Sequence, residues 1–448
     1  MVEAGEDCDD GDESATCDAD CTSVACGDGT VNAAALEECD AADAIDGDGC
    51  DVDCTLTRAT AVATGGEHTC VLLDTGLVRC WGGGLHGQLG LASIANIGDD
   101  ELPSSVGTLD LGALALDVHG GYFHGCARLE DGDVRCWGDS TYAQLGYGDT
   151  ATIGDDETPS AAGPVDLGGV VTQLATGYFH SCAVLEGGDV RCWGGGTDGQ
   201  LGYGGTAHIG DDELPSSVGP VDVGGVATRV TAGFFHSCAL LEGGDVRCWG
   251  SSPDGQAGHG DTFTIGDDEV PSAVPVLELG GVALDVVAGG RHTCALLEGG
   301  EVRCWGVGFA GELGYGNAES IGNDEVPSSV APVDVGGTVV QLAAGFYHTC
   351  ALLDTGEVRC WGLNVLGELG LADVLNIGDD ESPSAVDPIA LGGVAVQIAS
   401  SNDHTCAVLD DGTVRCWGLN GAGQLGYGDL ENIGDDETPA EAGAVPIF

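Results

Sequence analysis

The sequence predicts an all-β fold, a seven-bladed β-propeller of four-stranded blades preceded by a small disulfide-rich N-terminal segment. Three observations carry this. Cys70, Cys126, Cys182, Cys238, Cys294, Cys350 and Cys406 recur every 56 residues, and Cys80, Cys136, Cys192, Cys248, Cys304, Cys360 and Cys416 keep the same period. A period of this length signals an array or propeller, whose units bury their apolar faces against one another. Each repeat also reads as short strands punctuated by glycine turns, with no helical periodicity between them. Seven whole repeats fill residues 57–448, which leaves 1–56 as an acidic Cys-rich segment of one truncated and one complete unit.

Local chemistry justifies the strands in order. In VVQLAAGFYHTCALLDTGEVRCWG, residues 339–362, a first strand runs through Leu342, and HTCALL and EVRC form a hairpin around Asp354-Thr355-Gly356. The third turn position is Gly in every copy: Gly76, Gly132, Gly188, Gly244, Gly300, Gly356 and Gly412. A three-residue hairpin loop needs a left-handed residue there, which Gly supplies without steric cost. PVDVGG, residues 332–337, is expected as a fourth strand. Four short strands in each of seven repeats give the propeller. The chain ends in AVPIF, residues 444–448, which aligns with that fourth strand. If a blade begins with it, Val445–Phe448 returns to complete the first blade and removes an open edge.

The motif GxxHxC-ALL-xxG-xVRCWG followed by GQLGYG resembles the regulator of chromosome condensation repeat, over all of 57–448. The resemblance implies a seven-bladed propeller. Some members of that family exchange guanine nucleotides on a small GTPase, and one branch inhibits β-lactamases. This sequence departs from the pattern in carrying Cys on both hairpin strands and in lacking a basic tail. Exchange on a cytosolic partner fits poorly with hairpin disulfides; inhibition stays open.

With a three-residue loop at Glu130-Asp131-Gly132, Leu129 faces Asp133, and Cys126 faces Cys136 in a non-hydrogen-bonded pair about 4.5 Å apart at Cα. That is the short end of the disulfide range of about 4.4–6.8 Å. The same register pairs Cys70 with Cys80, Cys182 with Cys192, Cys238 with Cys248, Cys294 with Cys304, Cys350 with Cys360 and Cys406 with Cys416. Short loops limit each bond to roughly 2–3 kcal/mol. Together they place maturation outside a reducing cytosol. A competing reading takes His68, Cys70 and Cys80 as zinc ligands on one strand face, but it lacks a fourth ligand and demands seven such sites. Residues 1–56 add Cys8, Cys17, Cys21, Cys26, Cys39, Cys50 and Cys54 in units similar to acidic Cys-rich repeats of bacterial surface proteins. Their odd number has two readings: a partner Cys upstream of Met1 in a longer exported protein, or one free or intermolecular thiol.

Composition narrows the function. Asp and Glu number 74 against 11 basic residues, all Arg, for a formal net charge of −63. Such a surface repels nucleic acid and anionic lipid, so neither is expected as a partner. No apolar run approaches the roughly 20 residues of a membrane span. MVEAGEDCDD lacks the basic and apolar regions of a signal peptide. Acid-rich, Lys-free composition suits high salt, where self-repulsion is screened. The expected location is the extracellular space or cell surface of a bacterium, with a saline habitat suggested by the charge.

Residues repeated once per blade read as packing, because a catalytic centre needs unlike groups converging at one place. This covers the seven His of HxC and Trp81, Trp137, Trp193, Trp249, Trp305, Trp361 and Trp417. Arg79 and its six equivalents are expected to pair with carboxylates. I-G-D-D-E-x-P, first at Ile97–Pro103, recurs in every blade with Asn323 replacing one Asp. Its Asp99, Asp100, Glu101, Asp155, Asp156 and Glu157 offer the oxygen ligands that Ca²⁺ takes. The competing reading is a solvated turn capped by Asp, and GDGCDVD at 47–53 poses the same choice. Positions that differ between near-identical repeats are better candidates for specificity. The pair before each His is aromatic in four blades, as Tyr122-Phe123, Tyr178-Phe179, Phe234-Phe235 and Phe346-Tyr347. These are the candidate partner-binding residues, three pairs forming an arc over consecutive blades, against the alternative that one ring of each pair packs between blades. Loop tips at 84–86 and 92–96 and their equivalents form a second variable surface. No nucleophile–base pair or phosphate loop stands out. The sequence therefore points to an exported, non-catalytic scaffold that requires no cofactor and presents loops to a protein or glycan. The alternative is a calcium-binding structural or adhesive surface protein.

Overall fold

In a computed structural model residues 56–448 are described, so the Cys-rich units and GDGCDVD lie outside the described residues. The first blade contains β1 (Ala59–Thr64), β2 (His68–Leu73) and β3 (Val78–Gly82), paired antiparallel in that order. All six residues of β2 are buried, because it is the middle strand and both its faces meet neighbouring blades. The turn after β2 ends at Gly76 with φ 79°, and the six equivalent glycines lie between 80° and 89°. These glycines also allow close approach: a Cβ at Gly188 would meet Val226 of the next blade at 2.4 Å. Seven such sheets form the ring. Their inner strands, β1 and its equivalents, surround an axial channel of about 850 Å³.

Each sheet has three strands where the sequence predicts four. The fourth segment does run beside the outer strand, but it makes one ladder hydrogen bond per blade, such as Leu109 N to Val78 O at 2.7 Å and Val221 N to Val190 O at 2.8 Å. A left-handed glycine then turns the chain, at Gly112, Gly168, Gly224, Gly280, Gly336 and Gly392 with φ 73–83°, and in two blades an Asp caps that turn, as Asp166 Oδ1 accepts from Gly168 N at 3.1 Å. The chain is diverted before a ladder can extend. The proline of the acidic motif starts a single helical turn, as in Pro159–Ala162, an element outside the all-strand expectation.

The expected closure also differs. Val445 N bonds Val414 O at 2.9 Å, so AVPIF completes the seventh blade and not the first. A blade ends with this segment rather than beginning with it. The ring is sealed sideways: Pro446 O accepts from Ser104 N at 3.3 Å, and Ile447 O accepts from Arg79 of the first blade. Gln397 in the last inner strand clasps Val62 N and O at 2.9 and 3.1 Å. Gln173 holds Val230, and Gln341 holds Ile398, in the same way. The first and last blades therefore join as internal neighbours do.

The lower face carries the hairpin turns and the starts of the inner strands, which bond at six of the seven junctions, as in Ala115 N to Gly76 O at 2.8 Å and Ala59 N to Gly412 O at 3.2 Å. The upper face carries the ends of the inner strands, the aromatic pairs and the variable tips. No helix among the described residues is long and apolar enough to cross a membrane.

Candidate protein-interaction face

The repeated residues form a belt between blades. All seven hairpin Cys pairs are directly opposed and bonded, with Cα atoms 4.0–4.1 Å apart. The bonds consume the thiols that the zinc reading needs. His124 Nε2 lies 2.9 Å from Ser181 Oγ of the next blade, and His180, His236, His292, His348 and His404 meet Ser or Thr hydroxyls at 2.8–2.9 Å in the same way. Ser181 Oγ in turn donates to Gln144 O at 3.0 Å, and Trp193 Nε1 donates to the same carbonyl at 2.9 Å. With its proton committed to a carbonyl, the hydroxyl accepts from the imidazole, so the pair is not an activated nucleophile. Burial pushes the His down to about 3 or 4, which keeps them neutral.

The repeated arginines correct an expectation. Arg191, Arg247, Arg303 and Arg359 donate to backbone carbonyls of the helical turn in their blade, Pro215, Pro271, Pro327 and Pro383 at 3.0–3.1 Å and the following Val218, Val274, Val330 and Val386. A one-turn helix leaves its carbonyls without internal partners, and the guanidinium fills that need. Arg135 does pair with a carboxylate, Asp133, at 3.3 Å.

The acidic motif has a structural task. Ile97 is buried and exchanges hydrogen bonds of 2.7 and 2.9 Å with Gly82. Gly98 abuts the preceding blade so closely that a Cβ would meet Gly423 O at 2.4 Å. The motif thus latches one blade to the next, with Asp100 exposed and Asp99 and Glu101 half-buried. Asp99, Asp100 and Glu101 bring carboxylate oxygens within 4.8 Å of one another, as do Asp155, Asp156 and Glu157 and the equivalent triads at 211–213, 267–269 and 379–381. Asp99 Oδ1 also accepts from Asp100 N at 3.1 Å, the local turn cap. Partial burial and the neighbouring acids push Glu157 up to about 7.

On the upper face the aromatic pairs divide their work. The first rings, Tyr122, Tyr178, Phe234 and Phe346, turn to the axis: Tyr122 stacks on Tyr178 at 4.0 Å, Tyr178 meets Phe234 at 4.1 Å, and Phe346 reaches both Tyr178 and Phe234 at 5.5–5.6 Å. The Tyr178 hydroxyl lies 2.5 Å from Asn402 Oδ1. Gly66 and Gly290 occupy the equivalent positions in two other blades, where a Cβ would strike the rings of Tyr122 and Phe346. The missing side chains make room for a plug over the channel. The second rings face outward to tips of the preceding blade: Phe123 stacks on His86 at 4.3 Å, Phe179 meets Tyr142 at 4.8 Å, and Tyr347 meets Phe309 at 5.1 Å. All eight rings are half-buried.

An RCC1-like domain matches residues 157–446, and regulator of chromosome condensation (RCC1) repeats match 59–88 and 117–144. The chain belongs to the RCC1-like family. It is 32% identical over 377 residues to the ultraviolet-B receptor UVR8 of Arabidopsis thaliana, spanning 83% of this chain and 79% of that protein. It is 30% identical to the mitochondrial RCC1 domain-containing protein RUG3 of the same plant, over 81% of each. Solved structures of human WBSCR16 (TM-score 0.64, 22% identity, 79% of this chain and 87% of that one) and Saccharomyces cerevisiae Prp20p (0.60, 19%, 76% and 80%) share the fold.

Within this RCC1-like ring, two groups escaped the sequence reading. Glu312 and Glu368 stand where five other blades have Gln, fully buried, each accepting a backbone N–H at 2.7 Å. Burial pushes both up to about 7. The signal was present, since GELG replaces GQLG in those two repeats. The channel wall holds two unrepeated ion pairs, Arg128–Asp117 at 2.6 Å and Arg229–Asp285 at 2.7 Å.

Proposed function

We propose that the chain is a non-catalytic scaffold whose upper face binds a protein through the aromatic arc of Phe123, Phe179 and Phe235, with Tyr347 and the axial rings supporting it. The contiguous set of eight half-buried rings carries this reading. Aromatic groups with one face packed and one face wet are the usual anchors of interfaces. Prp20p, which shares the fold, was described together with its binding to Gsp1p and histones. A glycan could stack on the same rings. Seven hairpin disulfides support export, and the charge supports a salt-exposed bacterial exterior. The test is Phe123→Ser, Phe179→Ser and Phe235→Ser combined, leaving the axial plug intact. A partner captured by the wild type from its native surroundings should be lost; capture at unchanged yield removes the arc.

A second reading rests on the acidic triads, whose clustered oxygens suit Ca²⁺. Millimolar Ca²⁺ should then raise the melting temperature and EDTA should reverse it. A flat response leaves the motif as a latch alone.

A further inference from the structure

The lower face carries a surface that the aromatic reading does not use. At the starts of the inner strands Leu116, Leu284, Val340 and Val396 are each 51–53% exposed, and Val170 and Val394 beside them are exposed by 54% and 47%. Leu116, Val340 and Val396 line the axial channel at this end. Thr60, Thr172 and Thr228 hold the equivalent positions of the other three blades, so the apolar side chains form a patch on one part of the rim; exposed apolar patches mark contact sites. Around it stand the hairpin turns, whose seven copies and flanks carry 14 acids from Asp74 to Asp411. The plug closes the channel above, so a visitor enters from below. The wall guanidiniums of Arg128 and Arg229 are already neutralised by Asp117 and Asp285 and set no positive field against a cationic visitor.

We propose that the lower face is a second docking surface, which takes a partner segment with apolar residues at its tip and Lys or Arg on its flanks. The apolar patch receives the tip and the acidic turns receive the flanks. Charge decides against the other occupants. A second copy would bring 14 acids against 14, and residues 1–55 hold 18 acids and no base. Like charges so placed repel.

The experiment measures fluorescence anisotropy of a labelled synthetic 12-residue peptide of alternating leucine and lysine with the full chain. The probe should bind, weaken with added salt, and lose at least tenfold in affinity against Leu116→Ser, Leu284→Ser, Val340→Ser and Val396→Ser combined. A peptide with serine for leucine should also bind at least tenfold more weakly. Equal affinity for the variant, or for the serine peptide, overturns the proposal. So does sedimentation as a dimer that the variant abolishes, which would assign the face to a second copy. The four positions are half-exposed, so the variant should keep the wild-type melting temperature, and this is checked first.

Discussion

Six blade junctions set a hydroxyl against the His of the neighbouring blade, and the junction between the first and second blades sets Gly125 there. The surroundings are otherwise alike. Trp137 Nε1 still donates to Gln88 O at 2.9 Å, as Trp193 does to Gln144 O. Yet His68 is fully buried with neither ring nitrogen bonded, while each of the other six bonds through Nε2. The difference separates what builds a junction from what tunes it. Strand packing, the indole–carbonyl bond and the Gly latch form the interface; the His–hydroxyl pair adds to it. A buried polar group without a partner costs about 1–3 kcal/mol, and the other contacts absorb that.

The largest expected effect acts on all seven junctions together. The buried His are held below their unfolded value of about 6.5, at about 3 or 4. The unfolded chain therefore takes up protons that the folded chain refuses. Stability is complete above pH 6.5 and falls as the pH drops toward 4, by about 1.4 kcal/mol per unit for each His. Glu312 and Glu368, pushed up to about 7 by burial, act oppositely: their contribution is present below about 4.5 and is lost as the pH rises to 7. The motif glutamates Glu157, Glu269, Glu325, Glu381 and Glu437 share that sign but are partly exposed and screened by solvent. Seven His outweigh two buried Glu, so the urea midpoint should fall between pH 7 and pH 5. Measured in about 1 M salt, where the Debye length is about 3 Å, relief of the overall charge does not mask the trend. A midpoint that rises on acidification would mean that the belt is not buried and neutral.

Legibility followed repetition. The hairpins, their Gly turns and the Cys register depend on contacts within ten residues, and the sequence displays each seven times. The fourth segment misled because its alternating residues read as a strand, while the left-handed glycine that follows it, such as Gly168, turns the chain away after one bond. Arg191 was expected to seek a carboxylate because acids are abundant, yet the nearest unmet acceptors are the carbonyls of its own blade's helical turn. Gly125 stood in plain view as HGC among HTC and HSC copies. Its meaning needed the neighbouring blade, since the His–hydroxyl pair links residues 57 apart. Phe346 is the same case on the upper face: it is remote in sequence from Tyr178 and meets it only because the ring closes.

The junction comparison can be broken and repaired one atom group at a time. Ser181→Ala makes an intact junction resemble the deficient one, stranding His124 Nε2, and should cost about 1–3 kcal/mol in urea unfolding. Gly125→Ser is the converse and the smaller effect. The new hydroxyl can accept from His68 Nε2 and donate to Gln88 O, as Ser181 does for His124 and Gln144. Its Cβ would lie 2.8 Å from Trp137 Cζ2, so the indole must shift by a few tenths of an ångström. Trp193 accommodates Ser181 in the same geometry, which argues that it can. A net gain of about 0.5–1 kcal/mol is expected, less than the bond alone contributes. If Gly125→Ser instead destabilises while Ser181→Ala costs what is expected, then Trp137 is fixed in place, and Gly125 is there for the indole and not by default.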